Sequence, residues 1–107
     1  IRDRVKIIRE IHDDLAQHMD RRVTIEELAH RYLINPTTLK TVFKEVYGSS
    51  LAAHMKEHRM ERAAALLRET DLSVAEIAGQ VGYESQSKFT AAFKEQFGQL
   101  PKEYRRN

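Results

Sequence analysis

A repeat with an offset of 49 to 50 residues constrains this chain more than any other feature of its sequence. The stretch at 23–29, VTIEELA, reappears at 72–78 as LSVAEIA. Further along, Phe43-Lys44-Glu45 reappears as Phe93-Lys94-Glu95, and Gly48 reappears as Gly98. Similarity at a fixed period indicates one supersecondary unit that occurs twice. Because the offset grows by one residue, we expect the second copy to hold one extra residue in a turn, where insertions are tolerated.

Each copy predicts two helices joined by a short turn. The first helix begins with an S/T-x-x-E capping box, Thr24 with Glu27 and Ser73 with Glu76. The second helix has its own start signal and ends at a glycine, the residue that most easily adopts a left-handed helix stop. In the first copy the start signal is Asn35 with Pro36, the apolar stripe is Leu39, Phe43 and Tyr47, and the stop is Gly48. In the second copy the start signal is Ser85, the apolar stripe is Phe89, Phe93 and Phe97, and the stop is Gly98.

The rest of the chain is also predicted to be helical. An opening helix carries the stripe Val5, Ile8, Ile11, Leu15 and Met19 and ends near residues 20–22. A connecting helix from Ser50 to about Glu69 buries Leu51, Met55, Ala63, Leu66 and Leu67, and residues 101–105 form a last short turn. We therefore expect an all-α fold of about seven helices, with residues 1–49 and 71–107 as helix-turn-helix subdomains joined by residues 50–70.

Composition and charge exclude several classes of protein. The chain has no cysteine, which excludes a disulfide framework and a cysteine zinc site. No apolar run approaches the ~18 residues of a membrane span, and the first residues lack the apolar stretch of a signal peptide. We expect a cytoplasmic protein without membrane contact, and a fragment, since it does not begin with Met. Residues 35–62 and 84–107 each carry a net charge of +2, which permits nucleic-acid binding.

The outward face of the second helix in each copy is the predicted DNA-reading surface. Lys donates to guanine, Gln pairs with adenine, and Thr or Ala methyls contact thymine. A connecting helix of ~20 residues spans ~30 Å, close to the ~34 Å between successive major-groove faces. The predicted base contacts are Thr37, Thr38, Lys40, Thr41, Gln86, Ser87, Lys88, Thr90 and Ala91, and the predicted phosphate contacts are Asn35, Lys44, Arg59, Ser85 and Lys94.

Nearly the whole chain, from about Ile7 to Arg106, resembles a known protein family. The run RMERA at 59–63, the segment LSVAEIA at 72–78, Gly82-Tyr83 and the closing Pro101 and Tyr104-Arg105 are similar to the signature of the AraC/XylS family. The resemblance implies two helix-turn-helix subdomains on promoter DNA, recruitment of RNA polymerase, and a separate sensing or dimerisation domain that precedes this fragment. No nucleophile–base pair, phosphate-binding glycine loop or carboxylate pair stands out in the sequence, so we expect no enzymatic activity, cofactor or metal.

Three departures from the family pattern affect the expected function. Leu33 stands where many members carry Gly, so either it adopts an unfavourable positive φ or the turn differs. Ala91 stands where some members place Arg, which removes a bidentate guanine contact. His54 stands where an aromatic residue is common. We therefore expect the first unit to provide sequence specificity and the second to strengthen binding through contacts with DNA phosphates.

Two other interpretations of the sequence remain open at this point. His54-Met55-Lys56-Glu57-His58 fits H-x-x-E-H, an inverted zinc-protease pattern that also needs a third ligand and a cleft. The same two histidines could form a metal-binding pair or have only a structural role. A helical adaptor for another protein is the second alternative. The remaining histidines, His12, His18 and His30, are expected to lie on the surface of their helices.

Overall fold

The computed structural model describes residues 3–18 and 23–106 of the chain. Within these ranges every regular element is an α-helix, so the all-α prediction with about seven helices is confirmed. No described helix is both long and apolar enough to cross a membrane. The helices are α1 (Arg4–Gln17), α2 (Ile25–Arg31), α3 (Pro36–Tyr47), α4 (Leu51–Glu69), α5 (Val74–Gln80), α6 (Gln86–Phe97) and α7 (Pro101–Arg106).

The described residues form two compact units. The first comprises residues 3–18 and 23–56, and the second comprises residues 57–106, so the division falls within the unbroken helix α4. Each unit contains one copy of the repeat, α2 with α3 in the first and α5 with α6 in the second. The three-segment division at residues 49 and 70 stays a prediction.

The first unit is built around α3, against which both α1 and α2 pack. Ile8, Ile11, Leu39 and Phe43 are fully buried, and Leu28 is nearly so. Burying such aliphatic and aromatic side chains stabilises each by about 1.5–3 kcal/mol relative to exposure. The helical stripe predicted from the sequence is thus the buried side of α1 and α3.

The ends of the predicted α1 stripe differ from the structure. Val5 is 40% exposed, and the buried side begins at Ile7. The helix ends at Gln17, because His18 leaves the helical conformation and its N–H donates to the Leu15 carbonyl at 3.1 Å. The helix therefore ends a few residues before the predicted end near residues 20–22, and those residues and Met19 lie outside the described residues.

Asp14 ties α1 to the end of α2. One oxygen of its carboxylate accepts a hydrogen bond from the Arg31 guanidinium and another from the Tyr32 hydroxyl, each at 3.1 Å. Burial, followed by this hydrogen bond to a carboxylate, raises the pKa of Tyr32 above its usual value of 10.0. The phenol is thus held in its neutral, donating form.

The predicted surface position of His12 is wrong. Its side chain is only 19% exposed, and its ring stacks on Tyr47 with the ring centroids 4.6 Å apart. The apolar stripe of α1 does not reveal this contact, because His12 occupies the position directly after the buried Ile11 and its neighbour comes from a distant part of the chain.

The second unit has a continuous core in which α4 to α7 take part. Met60, Ile77, Phe89 and Phe93 are fully buried, and Leu67 is 2% exposed. The predicted buried residues of the connecting helix, Leu51, Met55, Ala63, Leu66 and Leu67, are all buried, which confirms that prediction. The predicted aromatic stripe of α6 is also confirmed, with Phe93 and Phe97 in contact at a centroid distance of 4.6 Å.

The turns of the two repeats share one hydrogen-bond pattern. The N–H of Ile34 donates to the Ala29 carbonyl and the N–H of Tyr83 to the Ala78 carbonyl, both at 2.9 Å. Leu33 (φ 53°) and Gly82 (φ 87°) occupy the matching left-handed position, so Leu33 takes the first of its two expected alternatives. The extra residue of the second copy is Glu84, which precedes the cap of α6.

Candidate nucleic-acid interface

The first candidate reading helix, α3, begins at a side-chain cap. The Asn35 carboxamide oxygen accepts hydrogen bonds from the N–H groups of Thr37 at 2.8 Å and Thr38 at 3.4 Å. Pro36 occupies the first turn, where its missing N–H costs no helical hydrogen bond. Because the carboxamide oxygen of Asn35 is used by the cap, its nitrogen is the side-chain group that could donate to a phosphate.

Four exposed side chains share one side of α3, namely Thr37, Lys40, Thr41 and Lys44. Positions i, i+3, i+4 and i+7 lie on the same helix face. The Thr41 hydroxyl donates to the Thr37 carbonyl at 2.9 Å. The groups that Thr41 presents on this face are therefore its methyl group and its hydroxyl oxygen, which can accept a hydrogen bond. Thr38 is half-buried, which makes it the least accessible of the predicted contacts on this helix.

A shallow groove runs along this face of α3. The side chains that line it are Ile25, Lys40, Thr41, Lys44, Ser50, Leu51 and Ala52. Sequence reasoning missed the contribution of the α4 start to this groove. Ser50 caps α4 by accepting the N–H of Ala53 at 3.1 Å, and the end of a helix that carries its unpaired N–H groups attracts phosphate. The serine just before a glycine-free helical stretch was the signal for this cap.

The second candidate reading helix, α6, begins at Ser85, whose hydroxyl accepts the N–H of Lys88 at 3.3 Å. Ser85 and Thr90 are half-buried, whereas Gln86, Ser87, Lys88, Ala91 and Lys94 are exposed. A second groove is lined by Gln86, Ser87, Thr90, Ala91, Lys94 and Leu100. Five predicted contacts thus meet on one surface, and Leu100 joins them from a segment that sequence reasoning left out.

Matching positions of the two faces differ in chemistry. Thr37 corresponds to Ser87 and Lys44 to Lys94, so these pairs keep a hydroxyl and a cation. Between them, Lys40 and Thr41 of the first copy are replaced by Thr90 and Ala91 in the second. The central part of the first face therefore offers a guanine donor and an acceptor oxygen, whereas the second offers one hydroxyl and a methyl group.

Six of the predicted contacts lie outside the linings of these two grooves, namely Asn35, Thr37, Thr38, Arg59, Ser85 and Lys88. Arg59 lies on α4 and is half-buried. Lys88 is exposed on the first turn of α6, outside the groove lining.

Comparison with known proteins agrees with the helix-turn-helix architecture of the two units. A family model described as a helix-turn-helix domain matches residues 28–107. The chain is 34% identical over 105 residues to the right origin-binding protein of Escherichia coli K12 and to the transcriptional regulator Rob of Salmonella typhimurium. These alignments cover 98% of the chain and 36% of each relative, so the chain spans about a third of the length of the curated relatives it matches.

Two solved structures are similar over most of the chain. The C-terminal domain of AraT, a response regulator from Geobacillus stearothermophilus, has a TM-score of 0.90 and 36% identity and covers 94% of this chain and 84% of its own. The DNA-binding domain of AdpA, a global transcriptional factor solved in complex with a target DNA, has a TM-score of 0.87 and 28% identity, with coverages of 92% and 88%.

Proposed function

This chain belongs to the AraC/XylS family and forms an AraC-type helix-turn-helix DNA-binding domain, and from this premise we propose that α3 and α6 enter successive major-groove segments of promoter DNA. The observation that carries the proposal is the pair of equivalent faces, with Lys44 and Lys94 at matching positions. Each face combines cations for phosphate with small polar or methyl groups for base edges.

We assign different tasks to the two faces. On α3, Lys40 donates to a guanine and Thr41 contacts a thymine methyl, and Thr37 and Thr38 contact bases from the first turn of the helix. On α6, Gln86, Ser87, Lys88, Thr90 and Ala91 make the weaker base contacts. The cations Lys44, Lys94 and Arg59 and the capped helix starts at Asn35 and Ser85 bind phosphates. The first unit therefore discriminates between sequences, and the second strengthens binding.

A selection of bound duplexes from a random pool tests the proposal, with affinities then measured by fluorescence anisotropy at several salt concentrations. We expect an enriched sequence with two half-sites and an affinity that falls steeply with salt. A folded sample that binds no duplex at low salt would overturn the proposal and favour the alternative of a protein-binding adaptor.

We further propose that the complete regulator carries a sensing or dimerisation region outside this segment, works in the cytoplasm and recruits RNA polymerase. The support is the greater length of the relatives and the description of Rob as a transcriptional regulator. Transcription in vitro from a promoter that contains the selected site tests the recruitment. Unchanged transcript levels with and without the bound protein would contradict it.

The protease interpretation of His54-x-x-Glu57-His58 is wrong, because the family consists of DNA-binding domains of transcription regulators and not of enzymes. The two histidines nevertheless occupy successive turns of one helix.

A further inference from the structure

A leucine takes the place of a helix-capping serine in the second copy of the repeat. Ser50 and Leu100 lie at equivalent positions, and each directly precedes a helix. Ser50 caps its helix by accepting the N–H of Ala53 at 3.1 Å. We propose that Leu100 instead forms an apolar recess with Thr90 and Ala91 that takes the C5 methyl group of a pyrimidine, thymine or 5-methylcytosine. This assignment rests on the proposed entry of α6 into the major groove.

The backbone of Leu100 is held on both sides. Its N–H donates to a carboxylate oxygen of Glu103 at 2.9 Å, and its carbonyl accepts the N–H of Tyr104 at 2.9 Å. The bond to Glu103 is one half of a capping box, and the other half needs a side-chain oxygen that leucine lacks. Serine, threonine, asparagine and aspartate are strongly preferred over leucine at this position. Leucine is therefore unfavourable for the local structure, as is expected of residues at functional sites.

The side chain of Leu100 gains little from burial within the domain. It is 38% exposed, although Pro101, which follows it, is buried. It lines the same groove as Thr90, Ala91 and Lys94 of α6. Because Ala91 is exposed, its methyl group is accessible from this groove. Leu100 thus adds a hydrocarbon surface to the part of the second face that has no charged or amide group.

The matching positions of the first face are polar. Ala91 corresponds to Thr41 of the first copy, which carries a hydroxyl group. Leu100 corresponds to Ser50, and both Thr41 and Ser50 line the first groove. The second copy has therefore replaced a hydroxyl by a hydrocarbon group at two positions of one surface. The apolar group that a base presents in the major groove is the C5 methyl, so this is the group that the recess fits.

The other groups around the recess favour a nucleotide as its occupant. Among the described residues that line this groove there is a cation, Lys94, and there is no carboxylate. Gln86 and Ser87 line the groove from the first turn of α6 and carry hydrogen-bonding groups. A hydrocarbon surface next to a lysine matches the chemistry of DNA, in which methyl-bearing base edges lie beside phosphates.

Replacement of single thymines by deoxyuridine tests the recess, because it removes the C5 methyl and changes no other group. The probe is the duplex obtained by selection with the unchanged chain, and the half-site of α6 is the one whose sequence Lys40→Ala leaves unaltered. We expect one thymine of this half-site at which deoxyuridine lowers the affinity about fourfold, which corresponds to the burial of one methyl group. Fluorescence anisotropy measures the affinities.

Cytosine and 5-methylcytosine at the same position form the second arm of the test. Tighter binding of 5-methylcytosine than of cytosine, by about the same factor, would show that the recess takes the methyl group from either base. A response to deoxyuridine without a response to 5-methylcytosine would assign the recess to thymine. Binding of the duplex with no effect of either replacement would overturn the assignment and leave the proposed function intact.

Leu100→Ser is the variant of choice, because it introduces the serine that the first copy carries and that caps a helix well. We therefore expect its melting temperature to be no lower than that of the unchanged chain. It should bind the thymine duplex more weakly and lose most of the difference between thymine and deoxyuridine. Val5→Ala, at an apolar position of α1 that is 40% exposed, is the matched control and should keep this difference.

The outcomes separate this assignment from the function on which it rests. If Leu100→Ser distinguished thymine from deoxyuridine as well as the unchanged chain does, Leu100 would have no part in methyl recognition and the assignment would be wrong. If the unchanged, folded chain bound no duplex at all, the proposed function would be wrong and the assignment with it.

Discussion

Among single residues, Leu33 carries the clearest local strain. Its φ of 53° lies in the left-handed region, and its side chain is 80% exposed. A non-glycine residue in this conformation costs about 1–2 kcal/mol, and the exposed side chain returns little packing energy. We expect Leu33→Gly to stabilise the domain by about 1 kcal/mol and to raise the melting temperature by about 4–8 °C.

The matching glycine of the second copy serves as the control for this change. Gly82→Ala places a side chain at a φ of 87° and should lower the melting temperature. Thermal unfolding followed by circular dichroism measures both variants. A fall in stability for Leu33→Gly would show that Leu33 contributes packing that outweighs its backbone strain.

Lys40 and Lys44 share a face of α3 but are predicted to act differently. Lys40→Ala should cost about 1–3 kcal/mol on the preferred duplex and much less on duplexes that lack the guanine it contacts. Lys44→Ala should weaken all duplexes by a similar factor, because phosphates carry no sequence information. Selection and anisotropy with both variants measure the difference. A uniform loss for Lys40→Ala would remove its assignment as a base-reading residue.

At the scale of the helices, Arg105 of α7 holds the end of α4. Its guanidinium donates from Nε to the Leu67 carbonyl at 3.1 Å and from Nη2 to the Thr70 carbonyl at 3.2 Å. A cation at this helix end also complements the helix dipole. We expect Arg105→Ala to destabilise the domain by about 1.5–3 kcal/mol, because it removes charged hydrogen bonds to partly buried carbonyls.

Urea unfolding of Arg105→Ala measures this effect, with Arg106→Ala as the control at an exposed neighbouring position. Arg105→Lys should be intermediate, since lysine keeps the charge but not the planar set of donors. Equal stabilities of Arg105→Ala and Arg106→Ala would contradict the role of Arg105 in holding this helix end.

The helices that the sequence predicts well are those whose signals are local. Ser73 and Glu76 form both hydrogen bonds of their capping box, and Gly48 and Gly98 are left-handed at the ends of α3 and α6. Such features depend on residues within one or two turns. The end of α1 was not predictable in this way, because its apolar stripe gives no signal for the bond from His18 to Leu15.

Sites formed by distant residues are less accessible to sequence reasoning. The faces of α3 and α6 follow from helical spacing, whereas the approach of Ser50 to Lys40 and of His12 to His54 depends on how helices pack. The two faces could therefore be outlined from the repeat, whereas these contacts between helices could not.

For the whole domain, the two faces should contribute additively to the salt dependence of DNA binding. Each lysine that neutralises a phosphate releases a counterion and adds about 0.9 to the magnitude of the slope of log affinity against log salt concentration. Lys44→Ala and Lys94→Ala should each lower that magnitude by about 0.9, and the double variant by about 1.8. Anisotropy titrations across a range of salt concentrations measure the slopes.

The control for these titrations is Lys6→Ala, an exposed lysine of α1 that should leave the slope unchanged. Additivity is the informative result, because it requires α3 and α6 to contact the same duplex in one complex. If Lys94→Ala left the slope unchanged while Lys44→Ala lowered its magnitude, only the first unit would bind phosphate. The proposed phosphate binding by the second face would then be wrong. Equal slopes for both variants and the unchanged chain would locate the phosphate contacts elsewhere on the domain.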